Sequence, residues 1–219
     1  MIVASDLEGT LTTGETWKAL GRYLRSHGQG RAYNAFFAMR LPRGLAAKAG
    51  LLDMLAFRDR WIAELPALLS GLTEEAWNDV AEWVMEQELW PKRREAVLQE
   101  LRRHQEAGRR VVLASSTYQP VLEAFARRIG AEALGTPLEL RDGKATGRVV
   151  APVNSGKGKA QRLVDWCGTQ KLHTAYGDTL ADVPMLALAE TAVVVHPAPA
   201  LEKVAHARGW RTLTAESGG

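Results

Sequence analysis

Two carboxylates two residues apart, Asp6 and Glu8, close the apolar run Met1-Ile2-Val3-Ala4, and Gly9-Thr10 follow at once. Acids are poor strand formers and core packing gives no reason for them. A nucleophile with a proton carrier beside it would put two acids at the end of a first strand. Three later groups could serve the same chemistry: Ser115-Ser116-Thr117 after "VVLA", Lys157 and Lys159 in "NSGKGKAQRL", and Asp178 with Asp182 in "GDTLADVPML". Taken singly, each has a bland reading, such as a turn residue or a helix cap for the aspartates. Their joint occurrence favours catalysis.

These residues need elements that bring them together. Four short β-like runs punctuate the chain: "IVAS", "RRVVLASS", "LHTAYGD" and "TAVVVH". Helix-like stretches lie between the last three, which predicts an α/β fold, a Rossmann-like parallel sheet with crossover helices. In open sheets of this kind ligands bind at the carboxyl ends of strands, so Asp6, Ser115 and Asp178 should share one crevice. Residues 13–90 show no strand pattern. Apolar residues recur there at helical spacing, in segments separated by Gly28, Gly30, Pro42, Gly44, Gly50, Pro66 and Gly71. The expected organisation is a core from 1–12 and 91–219 with an all-helical cap from 13–90. Pro91 marks re-entry, Gly108 should stop the helix "KRREAVLQELRRHQEAG", and "LELRDGKATGRVV" reads as a β-hairpin turning at Asp142-Gly143.

Composition narrows the function classes. The chain has 219 residues, enough for one sizeable core or a core with a smaller insertion. One cysteine, Cys167, excludes an internal disulfide framework and a multi-cysteine metal site. The net charge of +3 is weakly basic, but the basic clusters alternate with acids and apolar residues at helical spacing, as on a solvated helix face. No nucleic-acid motif accompanies them. "SGKGK" lacks the upstream glycine and following hydroxyl of a nucleotide-binding loop. The five histidines show no metal-ligand spacing, and the tryptophans of residues 13–90 read as core. No apolar run is long enough to cross a bilayer, and the acids arrive by the sixth residue with no basic leader before them. A cytoplasmic protein with no nucleic-acid or membrane partner is expected.

Asp6-Leu7-Glu8-Gly9-Thr10, Ser115, Lys159 and "GDTLADVPML", in this order and spacing, resemble the motifs of the haloacid dehalogenase superfamily. More narrowly they resemble its phosphoserine phosphatase-like branch, which carries a small helical cap after the first motif. The resemblance runs from residue 1 into "AVVVHPAPALEKVAHARGW" and is weakest in the cap. It implies a magnesium-dependent phosphomonoesterase acting on a small phosphorylated metabolite, phosphoserine among the candidates. Alternatives that keep the fold are a phosphotransferase using the same intermediate and a catalytically weak phosphate-binding or scaffold protein. By this resemblance Asp6 is the nucleophile and Glu8 the general acid and base, at a position where the family usually has aspartate. Mg2+ would be held by the Asp6 side chain, the Glu8 carbonyl and Asp178, with Asp182 nearby or acting through water. Ser115 and Lys159 would hold the phosphate; Ser116, Thr117 and Lys157 are their nearest competitors. Glu15, in "TTGETW", would contact a substrate amine or else serve the start of a helix. Arg58 or Arg60 would meet a substrate carboxylate.

Overall fold

The structure, a computed structural model, describes residues 1–150 and 152–214. Six parallel strands form one sheet in the order β3-β2-β1-β6-β7-β8. These are β1 (Ile2–Ser5), β2 (Arg110–Tyr118), β3 (Glu132–Thr136), β6 (Leu172–Gly177), β7 (Thr191–Val195) and β8 (Arg211–Leu213). The four predicted runs are β1, β2, β6 and β7, the inner strands. They read as near-continuous apolar stretches because helices cover both faces. Side chains alternate accordingly: Val3 and Leu113 enter the core on one face, while Ile2, Ala4, Val112 and Ala114 enter the core on the other. The two edge strands are additional to the sequence expectation. "EALGT" and "RTL" are short and partly polar, as edges must be to avoid pairing with other chains.

β1 sits between β2 and β6, with Ser5 level with Leu113 on one side and Tyr176 on the other. This register places the ends of β1 and β6 beside the middle of β2, where Ser115 lies. The crossover helices are α5 (Glu95–Glu106), α6 (Gln119–Ile129), α7 (Gly156–Cys167), the short α8 (Val183–Leu186) and α9 (Pro199–Arg208). The hairpin forms as expected, from β4 (Leu138–Arg141) and β5 (Lys144–Val149), with positive φ at both Asp142 (51°) and Gly143 (72°). It stands apart from the main sheet and leans on the inserted helices, where Ala145 N donates to Leu72 O at 2.8 Å.

Between β1 and α5 the chain is helical: α1 (Thr16–Ser26), α2 (Gly30–Lys48), α3 (Met54–Glu64) and α4 (Glu74–Val84), the last two capped by Asp53 and Thr73. A 3₁₀ turn, Leu65–Leu69, and a π-helical turn, Met85–Leu89, complete the layer. Pro42 and Gly44 do not break the chain there, contrary to expectation: α2 continues through both. Pro42 removes one hydrogen bond, but Ala38, the residue that loses its donor, is exposed, so water can satisfy its carbonyl. Trp77 is buried, and Trp17, Trp61 and Trp83 pack against the core, as read from the sequence. Among the described residues no helix is long and apolar enough to cross a membrane.

Candidate active site

Asp6 leaves the end of β1 with 7% of its surface exposed. Its backbone N donates to Tyr176 O at 3.0 Å, which ties the turn to β6. Lys159, from the first turns of α7, donates to Asp6 Oδ1 at 3.0 Å and also to Asp182 Oδ1. Lys157 is exposed, so Lys159 alone of the two reaches the site. The Lys159 ammonium is buried, which by itself disfavours charge, but the two carboxylates outweigh burial and raise its pKa.

Asp182 is held from both sides. Its Oδ2 accepts from Asp178 N at 3.2 Å, Thr179 N at 3.0 Å and Thr179 Oγ1 at 2.9 Å, a capping box that closes the turn after β6. Both Asp182 oxygens are thus engaged within the chain. Asp178 Oδ1 accepts from Thr10 Oγ1 at 3.0 Å. Gly9 lies against the same carboxylate, with φ +91° and space for no side chain: a Cβ there would stand 2.0 Å from Asp178 Oδ2.

Carboxylate oxygens of Asp6, Asp178 and Asp182 lie within 4.8 Å of one another. Three acids face one ammonium. The carboxyl of Asp178 is consequently pushed up to about 8, by burial first and then by the charges of Asp6 and Asp182. A divalent cation with oxygen preference fits this excess of negative charge. Asp6 and Asp178 have the freer oxygens for it; Asp182 acts on the cluster through Lys159 and the Thr179 turn.

Glu8 points from the same loop toward the inserted helices. Its Oε1 accepts from Thr117 Oγ1 at 2.9 Å and from Thr16 N, at the start of α1, at 3.1 Å. Burial raises its carboxyl pKa despite these bonds. Ser115 is buried and lines the cleft with Ser116; it lies within β2, which runs on to Tyr118 instead of ending at Ser115 as expected, while Thr117 is occupied with Glu8. The three competing hydroxyls therefore divide between two places.

Leu55, Arg58 and Asp59 of α3 close the cleft from above. The space left is about 20 Å³, room for one water on the usual threshold of roughly 10–15 Å³. Ser155 Oγ, just ahead of α7, donates to Asp59 Oδ2 at 2.6 Å and latches the two sides together. Asp59 Oδ1 is buried with no partner. Asp59 and Ser155 were not singled out in the sequence; the signal was an acid between two arginines in "FRDRW". Of those arginines, Arg58 borders the cleft and Arg60 is drawn to Glu64 at 2.7 Å. Glu15 stands at the start of α1, paired with Lys18, outside the residues that line the cleft.

The family profile of haloacid dehalogenase-like hydrolases matches residues 3–187. The chain belongs to this family. Phosphoserine phosphatase SerB1 of Mycobacterium tuberculosis is 32% identical over 216 residues, covering 94% of this chain and 68% of that protein. A putative hydrolase of Mycobacterium leprae is 31% identical over 216 residues, with 94% and 69% covered. Among solved structures, a protein of unknown function from Bordetella pertussis superposes with a TM-score of 0.78 at 24% identity, covering 97% of this chain and 98% of that one. A substrate-bound phosphoserine phosphatase superposes with a TM-score of 0.66 at 17% identity, covering 98% and 93%. The haloacid dehalogenase fold expected from the motifs is therefore present, and the chain is a hydrolase of this family.

Proposed function

We propose that this protein hydrolyses a small phosphomonoester through an aspartyl-phosphate on Asp6, with Glu8 moving the proton. The supporting observation is the buried contact of Lys159 with Asp6 and Asp182, which holds the attacking carboxylate in a fixed place between a cation and the Ser115 hydroxyl. In the first step an Asp6 oxygen bonds to phosphorus and the bond to the leaving oxygen breaks. Protonated Glu8 gives its proton to that oxygen. In the second step water attacks the acyl phosphate, Glu8 takes a proton from it, and inorganic phosphate leaves with Asp6 restored. The raised pKa of Glu8 suits a group that must start protonated and end protonated. Thr117 and Thr16 fix the position of its carboxylate, and Glu8 borders the cleft. Ser115 and Lys159 bind phosphoryl oxygens.

Mg2+, held by the Asp6 side chain, the Glu8 carbonyl and Asp178, with Asp182 behind them, would neutralise phosphoryl charge and polarise the phosphorus. Phosphoserine is the first substrate to test, because a relative 32% identical over 94% of the chain carries that name. Arg58 is the better placed of the two arginines for a substrate carboxylate. Glu15 would reach a substrate amine only after giving up its pairing with Lys18.

The test is hydrolysis of p-nitrophenyl phosphate and phosphoserine with magnesium by the wild type and by Asp6→Asn. Activity in the wild type and none in a folded Asp6→Asn is expected. Wild-type turnover by Asp6→Asn would remove the covalent mechanism.

A further inference from the structure

We propose that the outer side of α2 and the loop leading into α3 dock on an anionic lipid surface. The observation is a coincidence of two properties in one segment. Between Thr16 and Leu52 the chain has seven basic residues and no acidic one, which leaves 21 basic against 25 acidic residues for the rest. The positive charge of the whole protein thus resides in α1, α2 and the loop after them.

The same segment exposes large apolar side chains. Met39 is 71% exposed, Leu45 59% and Leu51 78%, with Leu52 beside them at 48%. α2 turns Tyr33, Phe36 and Ala47 inward, and its uncovered side mixes large apolar side chains with basic ones. That mixture is the composition of a helix lying in a membrane interface. Arg31, Arg43 and Lys48 are exposed among these residues and have no carboxylate partner among the described residues.

The charge decides what covers the face. A second copy would bring two acid-free basic segments together, and like charges facing each other are unfavourable. Nucleic acid would satisfy the cations but not the protruding leucines and methionine. A bilayer with anionic headgroups takes both: cations sit at the phosphate level and apolar side chains pass below it. Docking of this kind needs no spanning helix, so it agrees with the absence of one among the described residues. It revises the expectation of no membrane partner. The segment ends at Leu52, and α3 begins two residues later at Met54, next to Leu55, which lines the cleft, so the docked face adjoins the mouth of the active site.

The experiment is co-sedimentation of the intact protein with vesicles of phosphatidylglycerol and phosphatidylcholine in equal parts, against vesicles of phosphatidylcholine alone. Binding to the anionic vesicles only is expected. It should fall at about 1 M salt, where the Debye length shrinks to about 3 Å. Arg43→Glu with Lys48→Glu should weaken binding by at least about thirtyfold. Leu45→Glu with Leu51→Glu should abolish it. Arg103→Glu with Lys203→Glu, at exposed sites on α5 and α9, changes net charge equally and should retain most binding. Hydrolysis of p-nitrophenyl phosphate in solution should be unchanged in all three. Three results would overturn the proposal: no binding to anionic vesicles, equal loss in the α5–α9 control, or a dimer that Leu45→Glu with Leu51→Glu dissociates in a protein that ignores vesicles.

Discussion

Gly9→Ala tests the site where its geometry is least forgiving. The added Cβ would lie 2.0 Å from Asp178 Oδ2 and 2.5 Å from its Cγ. Ordinary contact needs about 3.5 Å, so the carboxylate must retreat by roughly 1.5 Å. That retreat gives up the 3.0 Å bond from Thr10 Oγ1, a loss of about 1 kcal/mol. The backbone adds its own cost, because φ +91° is a strained conformation for alanine, at about 1–3 kcal/mol. A stability loss of about 2–4 kcal/mol follows, or roughly 4–16 °C in melting temperature for a chain of this size. Gly143→Ala provides the control. Gly143 has φ +72° with nothing within 4 Å of where a Cβ would stand, so it carries the backbone cost without the collision. A misplacement of about 1 Å in a reacting group can cost on the order of 10²-fold in rate. Gly9→Ala should therefore lower kcat/KM on p-nitrophenyl phosphate by that order and raise the magnesium needed for half-maximal activity. Gly143→Ala should change neither. A folded Gly9→Ala protein with wild-type kcat/KM and wild-type magnesium response would refute the role given to Asp178.

Glu8→Gln should show a burst of nitrophenol from p-nitrophenyl phosphate and then a steady rate lower by about 10²–10⁴-fold, since a good leaving group needs no proton but the acyl phosphate needs a base; equal rates in both variants and phases would assign the proton to another group. Arg58→Ala should raise KM for phosphoserine about tenfold or more with little effect on p-nitrophenyl phosphate, and Arg60→Ala should do neither, as steady-state kinetics on the two substrates would show. Glu88, buried in the π-helical turn, binds Arg22, Lys92 and the backbone N of Glu15. Burial would raise its carboxyl pKa, but those hydrogen bonds outweigh it and hold it below the usual 4.5. A lowered carboxyl contributes stability that is present above its unfolded pKa and is lost as pH falls through the folded one. Glu88→Gln should therefore melt below the wild type at pH about 7, with the difference shrinking below pH about 4; a difference that grows in acid would contradict the assignment.

Much of the architecture was legible because burial on both faces writes itself into composition. "IVAS", "VVLASS", "LHTAYG" and "TAVVV" are apolar where helices cover them; β1 and β6 end where polar residues begin, while β2 runs on through Ser115, Ser116 and Thr117 to Tyr118. The expectation that Asp6, Ser115 and Asp178 share one crevice rested on that pattern, and all three line the cleft. Edge strands escape this signal: β3 contains Glu132 and Gly135, and β8 is three residues long. Pro42 misled because its effect depends on whether the orphaned carbonyl meets water, which sequence does not record. Lys159 was expected at the site with Lys157 as its competitor, and the Lys159 ammonium does face the carboxylates. The bonds of Glu8 to Thr16 and Thr117, and of Asp59 to Ser155, join segments far apart in sequence and have no local pattern. The Thr179–Asp182 capping box did have one, a hydroxyl followed three residues later by an acid.

The central place of β1 governs how the chain reaches this structure. β1 ends at Ser5, yet its neighbours β2 and β6 begin only at Arg110 and Leu172. At synthesis rates of about 5–20 residues per second, the apolar strand waits roughly 5–20 seconds for its first partner and longer for its second. Helices α1 to α4 can make local contacts during that interval, so the insertion gains structure before the sheet around which the protein is organised. Asp6 shares the wait of its strand. The acids and the ammonium that surround it arrive only with residues 159 to 182, after most of the chain has left the ribosome. The nascent chain is thus kept from gathering its buried charges until the hydrophobic sheet that must enclose them is available.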